Sequence, residues 1–428
     1  MEEFQIGCVM IIERPKYLQA LIGAIGSDQV KVITGVRRCG KSYLVFNLFK
    51  NYLLDQGVPR DNIIEMAFDM FRNEKFRDPD VFYPFVRERL ESTSGKRYVL
   101  LDEVQLLGRF PEVLIDLNSI EGVDVYVTGS NARLLSRDVV TEFRGRGREI
   151  QMAPLSFSEF MGAYDGDKRD GYEEYATYGG LPVILSLETP EEKVAYLKNL
   201  YDELYIRDIV DRNHVRDETN LETLIDILSS AIGSLTNSSR LSATFKSEMQ
   251  VTIAPETIDR YLSYLADAFL IRKAKRYDVK GKRYIGTPYK FYFSDLGLRN
   301  ARMNFRQMEP THIMENVIYN ELVGRGFGVD IGVVNGMVKG KDGGRRHAQL
   351  EIDFICNKGS QRMYVQSAFA LENEEKIAQE KRSLKKVDDS FKKVIITKEG
   401  FAPHYDEDGI LMMNVYDFLL DPDSLSAL

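Results

Sequence analysis

The chain has 428 residues, of which 44% are hydrophobic and 29% charged; this composition is typical of globular proteins and excludes extensive disorder. A net charge of −8 excludes a uniformly basic nucleic-acid coat, and three widely spaced cysteines exclude a disulfide framework. No apolar segment approaches the roughly 18 residues of a membrane helix, and the start lacks the basic flank of a signal peptide. We therefore expect a cytoplasmic protein without membrane contacts, and at about 100–200 residues per domain the length predicts two to four domains.

A glycine-rich loop lies between the first predicted strand and the helix that follows it. Residues 30–34 are largely β-branched and apolar, as a buried strand requires, and the residues after Tyr43 predict a helix. The loop matches G-x-x-x-x-G-K-[ST], in which backbone N–H groups surround a phosphate, Lys41 reaches the β- and γ-phosphates and Ser42 ligates Mg²⁺. We therefore predict a site for ATP and Mg²⁺. Its predicted contacts are Gly35, Val36, Arg37, Arg38, Cys39, Gly40, Lys41, Ser42 and Tyr43.

Two carboxylates follow a second apolar strand. Residues 98–101 predict this strand, and Asp102 and Glu103 come directly after it. In a chain that already has the phosphate loop, we predict that Asp102 holds the Mg²⁺ shell and that Glu103 polarises the attacking water. Residues 62–69, 123–128 and 147–152 predict further strands that alternate with helices. The expected fold class is α/β, with a parallel, doubly wound sheet of the P-loop NTPase type.

Polar and basic residues border the last two of these strands. Thr128 and Asn131 lie at the end of the strand at 123–128, where a side chain can contact a γ-phosphate or orient water; the same residues also suit a turn. Arg144 and Arg146 alternate with glycine before the strand at 147–152. Arginine neutralises charge on a transferring phosphoryl group, and we predict this role for Arg146, and for Arg144 second, in the site of a neighbouring subunit. The alternative is an exposed basic turn.

The middle of the chain predicts three helices followed by a basic hairpin. The helices are expected near 221–232, 241–246 and 254–267, and the arrangement is typical of a winged helix. Residues 272–290 contain eight Lys and Arg residues and one acidic residue. Such a local excess of positive charge is typical of a surface that binds a nucleic-acid phosphate backbone. The alternative is the solvated face of a packing module. The predicted DNA contacts are Arg272, Lys273, Lys275, Arg276, Lys280, Lys282 and Arg283.

The C-terminal third contains an acidic pattern that resembles a restriction-endonuclease-like fold. That fold places a helical Glu, a strand Asp and then Glu/Gln-x-Lys around a metal, and Glu315, Asp353 and Gln366 match these positions. Ala368 stands where the lysine belongs. Because alanine cannot position or activate water, we expect an inactive or very weak nuclease. The alternative is a sheet core with exposed carboxylates.

The order of the motifs resembles a large family of prokaryotic AAA+ ATPases. The matching segments are residues 35–42, 101–105, 128–132, 145–146, 154–160 and 179–182, and the resemblance covers essentially the whole chain. It implies ATP binding and hydrolysis, and a C-terminal half of uncharacterised function with a winged helix and a nuclease-like fold. The expected domains are a P-loop AAA+ domain with a helical extension at 1–200, a winged-helix domain at 200–305 and a degenerate nuclease-like domain at 306–428.

Three functions follow from this pattern. The first is Mg²⁺-dependent ATP hydrolysis coupled to movement of the C-terminal half, which is expected to contact DNA or a protein partner. The chain is also expected to form a homo-oligomer or to bind a protein partner. The second is a DNA-binding protein in which ATP acts as a switch without significant turnover. The third is a metal-dependent nuclease, against which Ala368 argues.

Overall fold

The computed structural model describes residues 11–129, 143, 145–201, 206–306, 308–339, 345–371, 373–400 and 402–426. The chain forms two compact units, Met1–Pro154 and Leu155–Leu428, called here the N-terminal and C-terminal units. None of the helices described has both the length and the apolar character needed to span a bilayer.

The N-terminal unit is built on a parallel sheet. Its strands are β1 (Val30–Gly35), β2 (Ile63–Ala67), β3 (Arg97–Asp102), β4 (Val123–Thr128) and β5 (Gly147–Met152). Its helices are α1 (Pro15–Ile22), α2 (Lys41–Tyr43), α3 (Lys50–Asp55), α4 (Pro79–Glu91) and α5 (Phe110–Asn118), and the π-helical segment Leu44–Phe49 joins α2 to α3. The predicted α/β fold with a parallel sheet is therefore confirmed for this unit.

The strand order places the chemical motifs at one edge of the sheet. The order is β2-β3-β4-β1-β5, so β4 lies between β1 and β3. Ile33 pairs with Thr128, and Leu101 pairs with Val127. Because all these strands are parallel, the residues at their carboxyl ends lie side by side. The core beneath them is apolar, and every residue of β1 and β4 is buried.

The C-terminal unit combines helices with one large mixed sheet. Its helices are α6 (Phe157–Met161), α7 (Lys168–Tyr178), α8 (Pro190–Asn199), α9 (Arg207–Asn213), α10 (Glu218–Ser230), α11 (Ser238–Glu248), α12 (Pro255–Asp267), α13 (Leu296–Arg302), α14 (Pro310–Gly324), α15 (Glu374–Leu384) and α16 (Val415–Leu420). Its strands are β6 (Ile271–Asp278), β7 (Arg283–Phe293), β8 (Gly328–Lys339), β9 (Arg345–Lys358), β10 (Gln361–Ala368), β11 (Lys392–Thr397), β12 (His404–Tyr405) and β13 (Leu411–Asn414).

The predicted basic hairpin belongs to this sheet. The sheet has eight strands in the order β12-β13-β11-β10-β9-β8-β6-β7. Strand β6 pairs antiparallel with β7 and parallel with β8, so the hairpin continues the sheet of the C-terminal third. Helices α10, α11 and α12 precede it, as the winged-helix prediction requires. A winged-helix domain that is separate from its neighbour stays a prediction.

The two units differ from the three predicted domains. The predicted helical extension up to residue 200 falls in the C-terminal unit, where Arg169 Nη2 lies 3.1 Å from Glu399 Oε2 and Lys398 Nζ lies 2.8 Å from Glu173 Oε1. The predicted boundary at 305 lies inside the same unit, because the β6–β8 pairing crosses it. The division at 200 and 305 therefore stays a prediction that the contacts do not reproduce.

Asp295 fixes the turn that follows α7. Its Oδ2 accepts a hydrogen bond from Gly180 N at 2.8 Å, and its Oδ1 accepts one from Leu298 N at 3.1 Å, which caps α13. Gly179 has a φ of +80°, and a Cβ there would lie 2.2 Å from Asp295 Oδ1. The Gly-Gly pair therefore has a packing cause, since a side chain at Gly179 would displace the capping carboxylate.

The buried Asp295 predicts a pH dependence of stability. Burial raises its pKa to about 6, although hydrogen bonds from Gly180, Leu298 and Gly297 oppose the shift. The folded chain therefore binds this proton more tightly than the unfolded chain. The contribution of this group to the free energy of unfolding is fully present at low pH and is lost as pH rises through about 6. Relative to D295N, we expect the unfolding free energy of the wild type to fall by about 2–3 kcal/mol between about pH 4 and about pH 7. Urea denaturation of both proteins at the two pH values measures this change, and a difference independent of pH would contradict it.

Candidate nucleotide site and C-terminal carboxylate cluster

The phosphate loop runs from the end of β1 to the start of α2. Gly35 has a φ of +138°, and a Cβ there would lie 1.9 Å from Met152 O, so only glycine fits against β5. Lys41 is 6% exposed, and its Nζ donates to Gly35 O at 3.0 Å and to Val36 O at 3.1 Å. The ammonium is thus held inside the loop by carbonyl groups that a phosphate can replace. Ser42 is exposed at the start of α2.

The other predicted contact residues in and next to this loop differ in how exposed they are. Val36 and Cys39 are buried and contribute their backbone, whereas Arg38 is exposed with a φ of 63°. Arg37, Gly40 and Tyr43 are half-buried. The Arg38 guanidinium therefore lies on the exposed side of the loop, whereas Val36 and Cys39 pack into the protein.

Arg14, which directly precedes α1, supports the loop, and the sequence pattern did not predict it. It is 3% exposed, and its guanidinium donates to Cys39 O at 3.1 Å and to Ala153 O at 2.8 Å. The same group lies 4.7 Å from the ring centroid of Tyr17. Arg14 thus connects the phosphate loop to the segment that ends the N-terminal unit. A single Arg-Pro pair in the sequence gives no signal of such distant carbonyl partners.

Thr128 connects the two carboxylates at the end of β3. Its hydroxyl donates to Asp102 Oδ1, and Glu103 N lies 3.4 Å from its Oγ1. Glu103 has a φ of 51°, in the left-handed region, and Gln105 Nε2 donates to its Oε2. Of the two polar residues predicted after β4, Thr128 therefore lies at the carboxylates. Asn131 and Arg144 lie outside the described residues.

The two predicted Mg²⁺ ligands lie next to each other. Burial raises the pKa of Asp102, and hydrogen bonds from Thr128 and Ser42 oppose this shift. The Ser42 hydroxyl and the Asp102 carboxylate are hard oxygen donors, which suit Mg²⁺ bound by one or two protein groups together with phosphates. The donor set therefore fits the metal that the motif implies.

Arg146 lies at the other end of the sheet from the phosphate loop. Its carbonyl accepts a hydrogen bond from Val30 N at 2.8 Å, so it lies beside the start of β1, whereas Gly35 ends that strand. The length of β1 separates the two by about 17 Å. The exposed Arg146 side chain therefore lies far from its own phosphate loop, and its role in the site of a neighbouring subunit stays a prediction.

The residues predicted to contact DNA differ in how exposed their side chains are. Lys273, Lys275, Lys280, Lys282 and Arg283 are exposed, and Arg272 is half-buried. Arg276 is buried, and its Nη2 lies 3.0 Å from Gln349 Oε1. The alternation of side chains along β6 turns Arg276 into the protein, so its DNA contact stays a prediction that its burial does not favour.

Two of the three predicted nuclease residues, Glu315 and Asp353, lie around a lysine that the sequence pattern places in the basic hairpin. We call Lys290, Glu315, Glu351 and Asp353 the C-terminal cluster. Lys290 Nζ lies 2.9 Å from Glu315 Oε1 and 2.7 Å from Glu351 Oε1. Gln366 Oε1 lies 3.4 Å from Asp353 N. The signal for Lys290 was its position between aromatic residues of an apolar strand, where a lysine needs a buried counter-charge.

Both units are similar in sequence to known proteins. Residues 27–161 match the family described as an AAA domain, and residues 169–309 match a domain of unknown function. An uncharacterized protein of Haemophilus influenzae is 35% identical over 415 residues, which cover 96% of this chain and 99% of that protein. An uncharacterized protein of Methanocaldococcus jannaschii is 27% identical over 70% of this chain and 68% of its own length. Among solved structures, a Walker-type ATPase of Pyrococcus abyssi matches 68% of this chain and 96% of its own, with 15% identity and a TM-score of 0.46.

These matches agree with the geometry of the N-terminal unit. The AAA-domain match spans the phosphate loop, Asp102, Glu103 and Thr128, all of which meet at one edge of the parallel sheet. The 35% identity to the Haemophilus influenzae protein extends over 96% of this chain. The chain therefore belongs to the same family as that protein, and its residues 27–161 match an AAA domain.

Proposed function

We propose that the chain binds ATP with Mg²⁺ and hydrolyses it at the N-terminal unit. The observation that carries this proposal is the Thr128 hydroxyl, which contacts Asp102 and the backbone of Glu103 at the carboxyl edge of the sheet. This contact supports a role for Asp102 in metal binding and for the adjacent Glu103 in water activation. Such positioning is the main requirement of phosphoryl transfer, in which the protein supplies orientation and charge.

Each residue has a distinct role in this proposal. Ser42 and Asp102 hold Mg²⁺, which when bound neutralises charge on the β- and γ-phosphates. The Lys41 ammonium exchanges the carbonyl groups of Gly35 and Val36 for phosphate oxygens. Glu103 accepts a proton from the attacking water, and Gln105 orients its carboxylate.

Lys41→Ala is expected to weaken ATP binding. The variant loses the charged hydrogen bonds to phosphate, and we expect the affinity to fall by about 30-fold. Lys50→Ala is the matched control, because Lys50 lies on the following helix and pairs with Glu65 at 3.1 Å. Fluorescent-nucleotide titration of the full chain measures both. Equal affinities of the two variants would show that the loop does not bind the nucleotide through Lys41.

We further propose that hydrolysis is coupled to the C-terminal unit. Arg14 supports this proposal, because it donates to Cys39 in the phosphate loop and to Ala153, and the C-terminal unit begins two residues later at Leu155. A change in the loop on phosphate release would thus reach the segment that leads to the second unit. The position of Arg146 supports a homo-oligomer, in which this side chain acts on the site of a neighbouring copy.

DNA contact through the β6–β7 hairpin is a second candidate function. The observation that favours it is the exposure of Lys273, Lys275 and Lys282 together with Tyr284, which is 61% exposed. Exposed cations beside an aromatic ring suit a nucleic-acid backbone and its bases. Two other cations of the hairpin are paired within the chain, since Lys280 lies 3.1 Å from Asp388 and Arg283 lies 4.0 Å from Asp278.

Removing two of the exposed lysines tests this second function. We expect K275A/K282A to bind duplex DNA more weakly and to lower the slope of log K against log salt by about 2. The control is K385A/K386A, which removes two exposed lysines at the end of α15. Fluorescence anisotropy over a salt series measures both slopes. Equal slopes for the two double variants, or no binding by the wild type at low salt, would exclude the hairpin as a DNA contact.

A further inference from the structure

A buried lysine from β7 lies inside the C-terminal cluster. Lys290 is 4% exposed, and its ammonium contacts carboxylates from two other elements, Glu315 on α14 and Glu351 on β9. One ammonium therefore balances negative charge that would otherwise need a metal ion or protons in a buried position. This cation comes from a strand far in sequence from the Glu/Gln-x-Lys pattern that ends at Ala368.

The ionisation of the cluster reflects this ammonium. Burial opposes the charge on Glu315, but Lys290 and the hydrogen bonds around it lower the pKa of this carboxyl to about 2. Burial also opposes the charge on Lys290, but the carboxylates around it raise its pKa. For Asp353, burial and the nearby Glu315 raise the pKa well above its usual value. The 2.9 Å contact between Lys290 Nζ and Glu315 Oε1 thus forms an ion pair at the centre of the cluster.

Hydrogen bonds within the chain also hold the carboxylates of this cluster in place. Tyr292 OH donates to Glu315 Oε1 at 2.6 Å, and Ser367 N donates to Asp353 Oδ2 at 2.8 Å. Gln366 brings a neutral carboxamide where a second acid would add charge. Among the residues that the structure describes, no three His, Cys, Asp or Glu side chains form a group that could hold a metal ion. With the Lys290 ammonium among them, the residues therefore do not fit the metal that the nuclease resemblance implies.

We propose that the Lys290 ammonium is the resident cation of the C-terminal cluster and that it excludes a divalent metal ion. The cluster then holds α14 and β9 against β7 instead of activating water. Metal-dependent cleavage of nucleic acid by this unit is not expected. The proposal is independent of ATP hydrolysis, which uses residues of the other unit.

Removal of the ammonium is expected to open a metal site. Mn²⁺ is the probe, and the full chain without nucleotide is titrated while free Mn²⁺ is followed by electron paramagnetic resonance. We expect K290M to bind one more Mn²⁺ per chain than the wild type, and K290M/D353N to lose that added ion. K282M is the matched control, because Lys282 is exposed in the same hairpin, and it should bind Mn²⁺ as the wild type does.

Two outcomes would overturn the proposal. One is a folded K290M that gains no Mn²⁺. The other is a wild-type chain that already binds an Mn²⁺ ion that D353N removes. If K290M folds only when Mn²⁺ is present, the metal replaces the ammonium and the proposal holds. If K290M does not fold under either condition, the comparison of wild type with D353N decides, and equal Mn²⁺ uptake supports the proposal.

Discussion

Glu103→Gln is expected to lower the rate of ATP hydrolysis by about 10³-fold while ATP still binds. The amide cannot accept the proton of the attacking water, but it keeps the size of the side chain and its contact with Gln105. Lys41, Ser42 and Asp102 are unchanged, so binding of the phosphates and of Mg²⁺ is retained. Phosphate release and nucleotide titration on the same preparation separate the two effects.

Glu112→Gln is the matched control for this variant. Glu112 lies on α5 in the same unit, is exposed, and pairs only with the nearby Arg109 among the contacts described, at 2.7 Å. We expect its hydrolysis rate to equal that of the wild type. If Glu103→Gln and Glu112→Gln hydrolyse ATP equally fast, Glu103 is not the base and ATP acts as a switch.

Lys290→Met is expected to lower the unfolding free energy by about 3–5 kcal/mol in metal-free buffer. Methionine keeps much of the volume of the lysine stem, so the loss arises from charge and not from a cavity. Glu315 would remain buried and ionised without its main partner, which is the costly half of a broken buried ion pair. Urea denaturation of the C-terminal transition measures the loss.

The exposed Lys282 gives the reference for this loss. Lys282→Met should change the unfolding free energy by less than about 0.5 kcal/mol, as is usual for surface substitutions. A Lys290→Met protein as stable as Lys282→Met would show that the ion pairs of the C-terminal cluster contribute no stability. It would also remove the reason for regarding Lys290 as the cation of that cluster.

The nucleotide site could be predicted because its signals are local. The phosphate loop and the Asp102–Glu103 pair each lie within a few residues, and each directly follows an apolar strand. The meeting of these two motifs follows from the rule that parallel strands present their carboxyl ends at one edge. From the sequence, Thr128 suited either a contact with phosphate or water or a turn. The sequence could not decide, because it does not show that β4 lies between β1 and β3.

The C-terminal unit was harder to predict because its partners are distant in sequence. Lys290 reads as one more cation of a basic hairpin, yet its partner Glu315 lies 25 residues further along the chain. Similarly, the pairing of β6 with β8 joins two segments that the sequence pattern assigns to separate domains. Both features depend on strand order, which local sequence patterns do not contain. The role of Lys290 in particular follows from its burial in the sheet.

Phosphate release from ATP by the full chain in the presence of Mg²⁺ tests the central claim most directly. The account predicts that the wild type releases many phosphates per chain and that Glu103→Gln, with ATP bound, releases almost none. A wild-type chain that binds ATP and Mg²⁺ but releases no phosphate, alone or with DNA, would contradict the claim that the N-terminal unit is an ATPase.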